Sequence, residues 1–366
     1  MIIKNIIFIK LKDLLRKIFI LIENLKVNLN FLFIINRKTK LAKIYYGGSI
    51  KSNIGGPAVK IKKLKKFFPE YKWNFNIVYL LSNSIYLNAS TINLLKEKNV
   101  PIILNQNGVF YPEWFTGDWE KENKKMSIIY HASNYIFWQS KFSQKASEKY
   151  LGKRLGSGEI LYNSVDTNTF KPSGEIYTNK FTFLITGNIN KRSNYRITTI
   201  IQSLEGLIKE YKNIHLNIAG CVEDKKYFLR KIKELQLDSY ITFIDEFSQK
   251  EAPLIYQRAN AYITMAYNDN CPSAVIEALS SGLPVLYSNS GGIPELVNKD
   301  SGIGLQVKED WSKTQIPNVS DIQKGMIKIM ENKENMSKAA RIRAIENFDI
   351  KDWIKRHEEV IDELLN

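Results

Sequence analysis

A chain of 366 residues has room for two domains, and with 44% hydrophobic and 12% aromatic residues it can pack a core, which excludes global disorder. The formal charge of +16 directs it toward anionic partners: nucleic acid, an acidic membrane surface or an anionic substrate. The two cysteines, Cys221 and Cys271, form no paired spacing, so neither a disulfide framework nor a zinc cluster is supported, and a reducing, cytoplasmic compartment is expected.

The first forty residues carry nine Lys/Arg against two acids. Leu11, Leu14, Leu15, Ile18, Ile22 and Leu25 recur at helical spacing, and Lys10, Lys12, Asp13, Arg16, Lys17 and Glu23 fill much of the other side. No charge-free run approaches the ~20 residues of a membrane span. The apolar stretch Ile18 to Ile22 is too short for a secretory leader, and charges interrupt it on both sides. Two readings stay open: a basic amphipathic helix lying on an anionic membrane, or a surface helix packed on its own domain.

From Leu41 the text alternates. "LAKIYY" predicts a strand, "GGSIKSNIGGP" a glycine-rich turn and residues 58–68 a lysine-rich helix. "FNIVYLL" is a strand, 89–99 a helix, and Pro101 introduces the strand "IILN". "SIIYHASNYIFWQS" contains another buried strand, and "KFSQKASEKYLG" is a helix that stops at Gly152. Residues 158–180 are polar, with Pro172 and Gly174, and read as a linker. The alternation restarts with "FTFLITG", a helix over 198–211, "IHLNIAG", a helix over 225–235, "ITFID", "ANAYITMAY", a helix over 273–281 and "PVLYS"; from Ser320 the pattern is helical. Apolar strands alternating with helices predict an α/β protein whose parallel sheets are covered on both faces. The expected organisation is an extension over 1–40, a first domain over 41–165, a linker over 166–180, a second domain over 181–340 and a C-terminal helix over 341–366.

The most informative stretch is "NDNCPSAVIEALSSGLPVLYSNSGGIPELV", residues 268–297, where Asp269 and Glu277 are separated by seven residues. The strand ending near Ala266 runs into a loop at its carboxyl end, the end at which parallel sheets bind ligands. Pro272 suits a first helical position, Gly282 a left-handed helix stop, and Pro284 prevents continuation. The two carboxylates then lie roughly 10 Å apart, too far to share a proton and well placed to grip two parts of one extended ligand. Between them lies a helix N-terminus, which attracts phosphate. Carboxylates accept hydrogen bonds from vicinal hydroxyls, so the layout suits a nucleotide-diphosphate sugar. Gly291 and Gly292 lack side chains, which lets their backbone approach a ligand.

This stretch resembles the acid-seven-acid motif and the following "SSGLPV…GGIPELV" of the retaining glycosyltransferases of family 4, group 1 enzymes of the GT-B fold. "GEILYNSVDTNTFKP" is similar to the interdomain segment of that family, "SNIGGPAV" to its first glycine loop, and "ARIRAIENFDIKDWIKRHEEVIDELL" to its final helices. The resemblance implies two Rossmann-like domains facing across a cleft, acceptor side first and donor side second, with the last helix crossing back. It implies that Glu277 binds the nucleotide ribose and Asp269 the donor sugar. The backbone of Asn270, Cys271, Pro272 and Ser273 would line that pocket, and Gly55 and Gly56 would face the donor phosphates. Gly187 stands where the family has its glycine at the end of the first C-domain strand, but Asn188 replaces the arginine that follows, so Lys191 and Arg192 are the candidates for the phosphate clamp. Asp269 also replaces the commoner glutamate, and Asn163–Ser164 the usual asparagine-glycine.

The implied reaction is transfer of a sugar, with retained configuration, to a glycan or lipid-linked acceptor in surface polysaccharide or lipopolysaccharide assembly. No cofactor beyond the nucleotide-sugar co-substrate is implied. No H-E-x-x-H or aspartate-x-aspartate on a strand end appears, so metal independence is expected. A basic enzyme meeting lipid-linked acceptors is expected in the cytoplasm, peripheral on the inner face of the membrane. On the acceptor side Asn107, which abuts a strand end before Gly108, is the candidate. Glu113, Asp118, Tyr111, Trp114 and Trp119 could bind sugar or anchor a core. His131 reads as a core histidine, and His215 and His357 as structural. The alternatives are a nucleotide-sugar 2-epimerase of the same fold, or a basic membrane- or RNA-binding protein with a degenerate sugar site. No RNA- or DNA-binding signature supports nucleic acid as a partner. The lack of G-x-G-x-x-G and of a P-loop argues against a dinucleotide oxidoreductase.

Overall fold

The computed structural model describes residues 2–32, 41–48, 56–83, 86–173 and 179–366. The chain divides into two compact units, Met1–Leu161 with Ile354–Asn366, and Tyr162–Trp353. The first contains α1 (Ile2–Leu32), β1 (Ile44–Tyr45), α2 (Gly56–Phe67), β2 (Ile77–Leu81), α3 (Ala89–Glu97), β3 (Ile102–Gln106), α4 (Trp119–Ala132), β4 (Tyr135–Trp138), α5 (Lys141–Leu151) and β5 (Ser157–Ile160). Among the described residues its strands form one parallel sheet in the order β1-β2-β3-β4-β5. Every residue of β2, β3 and β4 is buried, as expected of strands covered on both faces.

The second unit contains β6 (Phe181–Thr186), a 3₁₀ turn (Lys191–Ser193), α6 (Tyr195–Leu207), β7 (Ile214–Ala219), α7 (Lys225–Glu234), β8 (Ile241–Ile244), α8 (Ala252–Gln257), β9 (Ala261–Thr264), α9 (Ser273–Ser280), β10 (Val285–Ser288), α10 (Ile293–Leu296), β11 (Gly302–Leu305) and α11 (Val319–Phe348). Its parallel sheet has the order β11-β10-β9-β6-β7-β8. The chain winds outward from β6 through β7 to β8, then returns to the other side of β6 with β9. That reversal leaves a crevice beyond the carboxyl ends of β6 and β9, where open parallel sheets bind ligands. The final helix, α12 (Ile350–Leu365), begins in the second unit and gives its last turns to the first. There His357 is fully buried, 3.0 Å from the Tyr79 hydroxyl, with its ring 4.6 Å from that of Phe137. Arg356 donates to Glu159 of β5 at 2.6 Å and to the Tyr135 hydroxyl at 3.2 Å.

Helix α1 packs on the first unit through a polar face. Val27, Glu23, Asn24 and Asn30 are buried. Asn24 donates to the Tyr86 carbonyl and accepts from the Asn88 amide, both at 2.9 Å, and Asn30 accepts from the Asn74 amide at 2.6 Å. Glu23 accepts from the Tyr45 hydroxyl and pairs with Lys26. Residues 33–40 lie outside the described residues.

Several elements differ from the sequence expectation. Residues 127–132, read with a buried strand, form the end of α4; Asp118 caps that helix by accepting from the Lys121 amide, and Ile128 on its outer side blurs the helical period. His131 is therefore exposed, not in a core, and its Nε2 lies 2.8 Å from the Leu151 carbonyl. The segment read as a linker from residue 158 begins inside β5, an edge strand too polar to show strand periodicity. Phe170 is buried in the core of the second unit. Pro272 is the N-cap of α9 with an extended backbone (φ −68°, ψ 116°), one residue before the helical position expected.

Candidate functional site

The crevice beyond β6 and β9 collects the polar groups of the second unit. β6 ends at Thr186, and Gly187 follows with φ +148° and open space where a Cβ would stand, so a ligand can approach its backbone. Ile189 is buried and pins the loop, which Asn190 then turns into the 3₁₀ segment by a reciprocal cap with Ser193. Lys191 and Arg192 stand exposed there, while Arg196, on the first turn of α6, faces Asp269 electrostatically. The Arg196 Nε is buried without a hydrogen-bond partner.

Asp269 follows Asn268, which holds a left-handed backbone (φ +52°) and is buried. Such a conformation in a non-glycine residue needs surroundings that enforce it. The Asn268 amide donates to Ser290 at 3.1 Å, its side chain donates to the Asp310 carbonyl at 2.9 Å, and the Gly292 amide donates to the Asp269 carbonyl at 2.7 Å. Gly291 has φ +65°, and a Cβ on it would come within 2.4 Å of the Asp269 carbonyl oxygen. The double glycine thus serves first to let the loop after β10 press against the Asp269 backbone. Burial pushes the Asp269 carboxyl up; Arg196 and the amides of Cys271 and Asn270 pull it back, and it remains above its ordinary value. Cys271 is buried, with its thiol and carbonyl held by Asn163, at 3.3 and 2.7 Å. Asn270 and Ser273 are half-buried at the start of α9, where no side chain caps the helix.

Glu277, on the second turn of α9, is half-buried. Its Oε2 accepts from the Tyr256 hydroxyl at 3.0 Å and its Oε1 from the Gln249 amide at 2.9 Å. Burial, then the Glu277 charge, pushes the Tyr256 hydroxyl far above its usual range, so it stays a donor. Thr186 Oγ1 lies 3.2 Å from the Tyr256 hydroxyl and 3.0 Å from that of Tyr262, which burial pushes up to about 12. A hydroxyl network therefore ties the end of β6 to the carboxylate on α9. Arg196, with its uncapped Nε, and the helix end can take phosphate; Glu277 and Asp269 can accept hydroxyls. Residues 166–345, which hold this crevice, match the family model described as Glycosyl transferases group 1.

The match lies within the second unit and takes in most of it. Sequence reasoning singled out the two acids of this crevice but not Thr186, Gln249, Tyr256 and Tyr262, which lie outside the motif; Tyr256 sits on α8, too short a helix to show a period. The chain is similar to Protein CapJ of Staphylococcus aureus, 29% identical over 140 residues that cover 37% of this chain and 35% of that protein. It is also similar to an uncharacterized glycosyltransferase of Haemophilus influenzae, 23% identical over 215 residues, 57% of each. It thus spans from about a third to just over half of these curated relatives. Among solved structures, HepE of Anabaena in complex with UDP-glucose has a TM-score of 0.62 at 15% identity, over 84% of this chain and 82% of that one. The two parallel-sheet domains match GT-B glycosyltransferase structures.

In the first unit, Asn107 follows the carboxyl end of β3. Its Oδ1 accepts from Gln139 and, at 3.2 Å, from the buried Lys60, which also donates to Asn105 at 2.7 Å. Its Nδ2 donates to Asn83 at 2.7 Å. Asn83 in turn lines a cavity of about 440 Å³ with Arg16, Lys17, Tyr86, Phe110 and Lys125. Sequence reasoning missed Lys60 and Gln139, which sit outside the strand-end motif. Tyr111 is buried and stacked on Tyr150, and Trp114 stacks on Phe110, so these aromatics anchor the loop, as Asp118 caps α4. Gly56 opens α2, and Gly55 lies outside the described residues. Among the described residues no three His, Cys, Asp or Glu side chains gather in a metal-binding group.

Proposed function

We propose that this chain is a glycosyltransferase that moves a sugar from a nucleotide-diphosphate sugar to a hydroxyl of a glycan or lipid-linked acceptor. In this reading the anomeric configuration is retained, no metal is used, and the product enters surface polysaccharide or lipopolysaccharide on the cytoplasmic side. The observation that carries it is the crevice at the sheet reversal, where Asp269 beside Arg196 and Glu277 on its tyrosine network flank the uncapped start of α9. Glu277 holds the ribose and Asp269 the sugar. Arg196, Lys191, Arg192 and the amides of residues 270–273 take the diphosphate and stabilise the charge it gains on leaving. The glycines 187, 291 and 292 shape the loops around it. Asn107 and the cavity beside Asn83 receive the acceptor. The UDP-glucose held by the similar HepE makes UDP-sugars the first donors to try.

Thermal shift against UDP, GDP, ADP and their sugars, with Glu277→Ala alongside, tests the reading. A ligand at a hundred times its dissociation constant stabilises by about 2.7 kcal/mol. One nucleotide series should shift the wild type and not the variant, and turnover should survive a chelator. If no nucleotide shifts the wild type, the donor reading falls.

A further inference from the structure

Between Leu14 and Asn30, helix α1 turns a polar side inward and an apolar side out. Leu14, Leu15, Ile18, Leu21, Ile22 and Leu25 are each between 43% and 68% exposed. At about 100° per residue they fall within an arc of roughly 120°. The buried Glu23, Val27 and Asn30 centre on the opposite side of the same helix. The arrangement is held, because Asn24 and Asn30 bond the backbone of Tyr86, Asn88 and Asn74, and Glu23 accepts from Tyr45. A simple surface helix would place leucine and isoleucine against the domain and asparagine in water. A contiguous outward run of large aliphatic side chains on a soluble unit marks an interaction surface.

Charge decides the occupant. Residues 1–40 hold nine Lys/Arg and two acids, and one of those acids, Glu23, is buried against Tyr45 and Lys26. Lys17 and Lys26 border the apolar arc on its two sides, and Arg16 and Lys17 are exposed. An aliphatic face bordered by cations fits the boundary between acyl chains and acidic headgroups. Among the described residues no helix is long and apolar enough to cross a membrane.

We propose that α1 is a docking surface for anionic lipid: it lies in the plane of the bilayer, with Leu14, Ile18 and Leu21 in the acyl boundary and the flanking Lys17 and Lys26 at the headgroups. This goes beyond the reading of the sugar site, and vesicle binding reports on it without turnover. Flotation of the full chain with vesicles of phosphatidylcholine alone, and of phosphatidylcholine mixed with phosphatidylglycerol, tests it. The wild type should float with the acidic vesicles at least tenfold better than with the neutral ones. Leu14→Gln/Ile18→Gln/Leu21→Gln should abolish flotation while leaving the melting temperature intact, since those side chains face solvent. Lys17→Glu, at the border of the apolar arc, should weaken the preference for acidic vesicles. If the triple variant floats like the wild type, the proposal is wrong. It is equally overturned if the wild type stays unbound and light scattering shows a dimer that the triple variant converts to monomer, because the face then meets a second copy.

Discussion

Asp269 is held in the folded protein at the expense of its own charge. Because its pKa is raised by burial, folding penalises the ionised form; that penalty is complete above the raised value and vanishes below the ordinary value of 3.8. Asp269→Asn should therefore raise the melting temperature at neutral pH, with the gain fading as pH falls from the raised value to that ordinary value, while donor-sugar affinity drops. A melting series against pH for both proteins checks the sign. Tyr256→Phe removes one donor from Glu277 and breaks the link to Thr186, which should destabilise the protein by about 1 kcal/mol and weaken donor binding. Denaturant titration and a donor dissociation constant measure the two effects. The glycines separate in the same way. Gly291→Ala meets the Asp269 backbone and should unfold the protein more easily than Gly187→Ala, which meets no atom, though both are strained by their positive φ.

The long apolar elements announce themselves in the sequence. β3, β6 and α9 lie close to where their periodicity puts them, and Gly282 takes the left-handed stop (φ +74°) that its position after "SS" implies. β5, β11 and α8 do not announce themselves, because edge strands and short helices bury too few residues on one side to leave a pattern. The site divides similarly. Asp269, Glu277 and the double glycine are legible because they are local. The partners that fix them are not, because Arg196, Tyr256 and Thr186 arrive from other elements through the sheet order. Helix α1 shows the limit of composition: its amphipathic spacing is plain, yet only the hydrogen bonds of Asn24 and Asn30 reveal which side faces the domain.

Each unit has its own sheet and core, so ligand and mutation effects should separate in a calorimeter. Saturating donor nucleotide should raise the transition of the unit that holds Glu277, whereas His357→Ala should lower that of the other, where the histidine is buried against Tyr79 and Phe137. A single transition moved equally by both would show that the units unfold together. The placing of His357 also sets an order in time. The strands of the first unit leave the ribosome before the second unit is made, but the residues that close its core follow that unit. That unit must wait, incomplete, through synthesis of the whole second unit, so it is the part of the nascent chain most in need of a chaperone. A stop codon after Trp353 should accordingly leave the first-made unit open to protease while the later-made one resists digestion.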